Sequence, residues 1–253
     1  MVAGRAALVV SLALQIGTNY ANDYSDGVRG TDDARVGPVR LVGGRLASAR
    51  AVKVAAFASF GVAALAGLML AAAVGWEFLA IGAAAIAAGW FYTGGSHPYG
   101  YLGFGELFVF VFFGLVATAG TTYVLAESLT GLSIVCGLAA GCLACALLVV
   151  NNLRDIPGDT IAGKKTLAVR IGDTGTRGLY VLLIALAFLV GLAISAARPP
   201  ALLALLAVPI AVPPVRAVLG GAKGRALIPV LGGTGRIQLV FGALLTLGLA
   251  LGA

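Results

Sequence analysis

Residues 129–159 read LTGLSIVCGLAAGCLACALLVVNNLRDIPGD, and the change of character at residue 151 decides the class of the molecule. Positions 128–150 carry no charged side chain. A helix of that length crosses the ~30 Å hydrocarbon layer of a bilayer. It then runs directly into Asn151, Asn152, Arg154, Asp155 and Asp159. This is the pattern of a transmembrane helix that delivers a polar cluster to the membrane edge. All three cysteines of the chain, Cys136, Cys142 and Cys145, lie in the apolar half. No polar pocket or further ligands surround them, so they are expected to pack as small residues between helices rather than to bind metal.

The rest of the chain has the same character. Of its 253 residues 60% are hydrophobic and 11% charged, with a mean hydropathy of +1.02. Soluble domains carry about 25% charged residues, so a water-soluble fold, a disordered chain and a disulfide-stapled secreted domain are excluded. Porin-like strands are excluded too, because the apolar runs are continuous rather than alternating. Eight candidate spans follow, at 3–22, 51–75, 76–93, 104–125, 128–150, 176–197, 200–219 and 236–253. The expected fold is an all-α, polytopic transmembrane helical bundle forming one domain over residues 1–253. Pro209, Pro213 and Pro214 are expected to kink the seventh span, which neighbouring helices tolerate in a bundle.

The loops sort by charge. Fifteen of the 17 basic residues fall in three alternate loops and their helix junctions, and only Arg5 and Arg198 lie on the opposite side. The positive-inside rule puts those loops in the cytoplasm and the protein in the cell membrane. The net charge of +7 therefore calls for no nucleic acid. Seven of the ten acids accompany the basic residues in the first two of these loops or at their junctions: Asp23, Asp26, Asp32, Asp33, Asp155, Asp159 and Asp173.

Two motifs stand out among them. In NYANDYSD, residues 19–26, a helix continued to about residue 26 puts Asn19, Asn22, Asp23 and Asp26 on one face, at i, i+3, i+4 and i+7. In NNLRDIPGD, residues 151–159, Asn151, Asp155 and Asp159 follow at i, i+4 and i+8, with Pro157 and Gly158 expected to unwind the helix before Asp159. Four intervening spans return the motifs to the same membrane side. Carboxylate rows flanked by amide oxygens suit Mg2+, which takes one or two carboxylates and completes its shell with water and phosphate oxygens. Arg154, Lys164 and Lys165 can neutralise the remaining phosphate charge. The set reads as a diphosphate–Mg2+ site beneath which Ala/Gly/Leu-rich helices could hold an isoprenoid tail. Asp32 and Asp33 are weaker candidates that can pair with nearby arginines.

At these residues the chain resembles the UbiA superfamily of intramembrane aromatic prenyltransferases. The resemblance rests on QIGTNYANDYSDGVRGTDD (15–33), YTGGSHPYGYLGFGELFVFVFFG (92–114) and NNLRDIPGDTIAGKKTLAVRIG (151–172). Within the superfamily the wording is similar to the branch that prenylates 1,4-dihydroxy-2-naphthoate in menaquinone synthesis. The resemblance implies Mg2+ held by Asp23, Asp26, Asp155 and Asp159, which are then also the catalytic set. It implies that Asn19, Asn22 and Asn151 orient metal-bound water or diphosphate oxygens, and that Arg154, Lys164 and Lys165 contact diphosphate. The substrates would be a polyprenyl diphosphate and an aromatic acceptor. Attack at the carboxylate-bearing ring carbon would release carbon dioxide. Members of the superfamily have nine spans with the first motif closing the second. Here that motif closes the first span, so the opening helix is expected to be missing. Tyr92, His97, Tyr99 and Tyr101 share the motif side by parity and could cap the site. Two other readings of the residues are an enzyme acting on 4-hydroxybenzoate or homogentisate, and a cation transporter using the Asp/Asn groups. A CDP-alcohol phosphotransferase is disfavoured, because Gly30 and Thr31 stand where its motif needs Ala and Arg.

Overall fold

Apolar composition makes helices of nearly the whole chain in the computed structural model, which describes residues 2–31, 37 and 39–252. Asp32 and Asp33 lie outside the described residues. In order the helices are α1 (Val2–Val28), α2 (Ala49–Val74), α3 (Glu77–Phe91), α4 (Gly105–Val109), α5 (Ala117–Ala126), α6 (Gly131–Ile161), α7 (Leu167–Ala197), α8 (Val208–Leu219) and α9 (Ile228–Leu251). A π-helical segment, Phe110–Val116, joins α4 to α5, and 3-10 segments precede α8 and α9.

Among the described residues, seven continuous helical segments are long and apolar enough to cross a membrane. The remaining expected span, 76–93, is α3, whose 15 residues fall short of that length. A bilayer supplies no hydrogen bonds, so this all-helical solution is the one that satisfies the backbone internally. The side chains left outward, such as Leu12, Phe57, Leu65, Leu189 and Leu239, are large and apolar.

The expected boundaries shift at four places. First, α6 does not unwind at Pro157 and Gly158 but continues to Ile161. Proline forfeits its own N–H bond there and crowds the carbonyl four residues back, yet the helix continues. The turn is held instead by the Thr160 hydroxyl donating to the Ile156 carbonyl at 2.7 Å and Ala162 N–H donating to Gly158 at 2.9 Å. The chain turns away at Gly163, whose φ of 71° suits glycine. Asp159 is therefore helical, one turn beyond Asp155. Second, α7 begins at Leu167 with a short first segment, and a break at Gly172 (φ 72°, ψ 178°) separates it from the span proper. Third, the prolines of the seventh span lie within or at the start of α8, and the irregular part is the preceding 3-10 segment Pro199–Ala207. Fourth, α9 starts well before residue 236, because Thr234 is fully buried and its hydroxyl shares a 2.7 Å hydrogen bond with Tyr180.

The principal core joins α6, α7, α8 and α9 around Leu143, Val149, Tyr180, Ile184, Ile237 and Phe241. A second half holds α1 against α2, α3 and α5 through small clusters at Ala6, Leu70 and Val124 and at Ala21, Ala56 and Phe60. Close approach depends on glycine. A Cβ on Gly114 would lie 2.5 Å from the Gly141 Cα, so the π-helical segment and α6 meet backbone to backbone. All three cysteines are free, as expected of small packing residues.

Candidate active site

Helix α1 spans 27 residues and α6 spans 31, about 40 and 46 Å, more than the hydrocarbon thickness. Their C-terminal turns therefore emerge at the membrane edge, and both motifs sit on those turns. The 3.6-residue period brings Asn19, Asn22, Asp23 and Asp26 to one side of α1, as expected.

Around the first motif the chain folds back on itself. Asp23, 5% exposed, accepts backbone N–H bonds from Leu41 at 2.8 Å and Val42 at 2.9 Å, which pins the segment after the loop onto α1. Asn22 accepts from the Thr93 hydroxyl at 2.9 Å, and Arg29 donates to the Thr93 and Gly95 carbonyls. The α3–α4 loop is thereby fixed over the end of α1. Asp26 accepts from the Tyr101 hydroxyl of that loop and from Lys164 Nζ at 3.2 Å.

The second motif is organised by Arg154, whose side chain is 1% exposed. Its Nε and Nη2 donate to the two oxygens of Asp155 at 2.7 and 2.6 Å, and Nη2 also donates to Asn151 Oδ1 at 2.9 Å. The bidentate pairing is the strong form of this interaction. Arg154 Nη1 is buried with no hydrogen-bond partner among the described residues. A buried cationic donor left in that state is costly unless an anion completes it. Asn152 on the adjacent face donates Nδ2 to Glu106 Oε1 at 2.9 Å.

Lys164 ties the halves together, because its Nζ lies 3.2 Å from Asp26 and 3.8 Å from Asp159. Burial works against its charge, but Asp26, Tyr101 and Asp159 outweigh it and raise its pKa, so the ammonium is retained. Burial, then Asp26, push the Tyr101 phenol up, and burial, then Glu106, push the Tyr92 phenol up, so both remain protonated hydroxyls.

One cavity of about 520 Å³ runs between the two helix ends and collects Asn19, Asn22, Asp23, Asp26, Asn151, Arg154, Asp155, Asp159 and Lys164. Nine of the ten expected site residues thus meet at one place. Lys165 does not. Its side chain is exposed, while its N–H donates to the Tyr101 carbonyl at 2.8 Å. Of the loop candidates, Tyr92 and Tyr101 line the cavity, whereas His97 is exposed and bonds its neighbour Ser96 at 3.0 Å. Arg40, Thr93 and Asn152 also line it, and none was singled out by the sequence motifs as a site residue.

The donors suit a divalent cation shared with a diphosphate. All are hard oxygens, and among the described residues no three acidic, His or Cys groups close into a ready-made metal cage. Mg2+ needs no such cage when phosphate oxygens complete its shell, and Arg154 Nη1, without a partner among the described residues, is a donor such oxygens could take.

Residues 4–224 match the UbiA prenyltransferase family. The chain is 52% identical over 246 residues to a Mycobacterium tuberculosis protein named 1,4-dihydroxy-2-naphthoate octaprenyltransferase, covering 97% of this chain and 84% of that one. Proteins of the same name from Mycobacterium leprae (48% identity; 93% and 80% covered) and Haemophilus influenzae (35%; 97% and 83% covered) are also similar.

Proposed function

Because the chain belongs to the UbiA prenyltransferase family and is a multi-pass membrane prenyltransferase, we propose that it transfers a polyprenyl group from polyprenyl diphosphate to 1,4-dihydroxy-2-naphthoate. Diphosphate and carbon dioxide would leave, giving a demethylmenaquinol, with the site open to the cytoplasm. The observation that supports this reading is the Lys164 ammonium between Asp26 and Asp159, which brings two motifs more than a hundred residues apart to one place. The acceptor is taken from the names of the relatives. The cytoplasmic orientation is taken from the distribution of basic residues.

Asp23, Asp26, Asp155 and Asp159 would hold Mg2+, with Asn19, Asn22 and Asn151 turned to its water or to diphosphate oxygens. Bound there, the ion would supply Lewis-acid stabilisation of the charge that gathers on the leaving diphosphate. Arg154 Nη1 and Lys164 Nζ bind the same oxygens and hold the diphosphate still while the allylic C–O bond breaks. The electron-rich ring forms its new carbon–carbon bond at the carboxylate-bearing carbon. The carboxylate then leaves as carbon dioxide, and its bonding pair restores the aromatic ring.

Membranes containing the chain should convert a polyprenyl diphosphate and 1,4-dihydroxy-2-naphthoate, with Mg2+, into a decarboxylated prenyl naphthoquinol detectable by mass spectrometry. EDTA should abolish the product and excess Mg2+ restore it. A product unaffected by EDTA would overturn the metal assignment. Prenylation of 4-hydroxybenzoate but not of the naphthoate would overturn the acceptor.

A further inference from the structure

Glu106 is the one acidic residue of the α4–α5 span, and the mechanism above leaves it unused. Carboxylates inside a membrane protein are costly and are kept for a task. This one is bound to α6 twice: its side chain accepts from Asn152 Nδ2 at 2.9 Å, and its backbone carbonyl accepts from the Cys145 thiol at 3.1 Å. It also lies close enough to Tyr92 to be the second cause, after burial, of that phenol's raised pKa.

Asn152 faces two ways. Its amide nitrogen is committed to Glu106, whereas the residue lines the cavity and its amide oxygen has no hydrogen-bond partner among the described residues. Its depth is informative. Along α6 it sits about 4.5 Å below Asp155 and about 10 Å below Asp159, with Leu148 one turn deeper in the same wall. The diphosphate end of the cavity is the upper, charged one. Asn151, turned to the diphosphate, lies about 1.5 Å deeper along α6 than Asn152, so the prenyl carbon bonded to that diphosphate, and the ring that attacks it, come within reach of Asn152 in the same wall.

We propose that Glu106 is a positioning residue for the aromatic acceptor. By taking the Asn152 amide hydrogen it fixes the flip of that amide, so that Asn152 Oδ1 faces the cavity and accepts a hydrogen bond from a ring hydroxyl. This rests on the hydroxylated acceptor proposed above. A hydrogen-bond acceptor fixed in this way recognises a hydroxyl, and the diphosphate makes no use of it.

The test is steady-state kinetics of the full chain in membranes, with both substrates varied. Glu106→Ala is expected to raise the KM for 1,4-dihydroxy-2-naphthoate about tenfold, the worth of one net hydrogen bond, and to leave the KM for polyprenyl diphosphate within about twofold. Glu106→Gln keeps an oxygen for Asn152 and should recover most of the loss. Asn152→Ala should reproduce the acceptor effect, and it decides the matter where Glu106→Ala fails to accumulate. An unchanged acceptor KM in the alanine variants, or an equal rise for both substrates, overturns the positioning role alone. A wild-type chain that makes no naphthoquinol overturns the acceptor reading itself.

Discussion

Asp26→Asn is expected to lower kcat/KM for prenyl transfer by about 10²–10³-fold, the range found when one charge-stabilising group is removed from a reacting centre, while Lys164 keeps Asp159 at 3.8 Å as a charge partner. Asparagine has the same shape and keeps an oxygen for the Tyr101 hydroxyl, so the α3–α4 loop stays anchored to α1. What disappears is the negative charge that Lys164 meets at 3.2 Å and that the proposed metal requires. Asp155→Asn is a less clean probe, because it strips the charge partner from Arg154, which is 3% exposed. Breaking a buried pair from one side is strongly destabilising. Asp173→Asn is the control. Asp173 pairs with Arg177 at 2.6 Å away from the cavity, with its side chain 46% exposed, and its loss should leave kcat/KM within about twofold. If Asp26→Asn retained wild-type activity, the first motif would have no part in catalysis.

Gly114→Ala is expected to be among the most destabilising single-methyl changes in the chain. The added Cβ would lie 2.5 Å from the Gly141 Cα, 2.8 Å from the Gly137 carbonyl oxygen and 2.8 Å from the Gly141 nitrogen, all of them backbone atoms. A flexible side chain could move aside; two helix backbones must separate. Overpacking costs typically reach about 3 kcal/mol, which for a protein of this size lowers Tm by about 6–12 °C. Gly120→Ala, a few residues along in α5, meets nothing within 4 Å and should leave Tm unchanged or slightly raised through helix propensity. Thermal unfolding of both variants in detergent makes the comparison. Equal Tm values would mean that the π-helical segment does not pack against α6 as described.

The apolar runs disclosed the bundle because in a bilayer hydropathy and span coincide. The faces of α1 and α6 could be read from residue spacing alone, and Lys164 from its charge beside the second motif. What escaped was decided by tertiary contacts. Pro157 announces a break, yet the end of α6 is set by Gly163 and by local bonds around Thr160. Asp23 reads as a ligand, and its part in pinning Leu41 and Val42 comes from an aperiodic loop that leaves no pattern. Lys164 and Lys165 are alike in composition and differ only in the direction the link takes past Tyr101. Glu106 resembles a residue at a helix start until Asn152 is found opposite it. Tyr101 and Thr93 carried one usable signal, since parity places their loop on the motif side.

The account turns on the two motifs acting as one diphosphate site. The most direct measurement is a double-mutant cycle on Mg2+-dependent binding of an unreactive polyprenyl S-thiolodiphosphate to the purified chain. It compares wild type with Asp26→Asn, Asp159→Asn and the double variant. Groups that hold one ligand through a shared ion are not additive. Each single variant should therefore lose most of the binding, and the double variant should bind little worse than either. Losses that add within about 0.5 kcal/mol would mean that the motifs bind independently, and would contradict a single shared site.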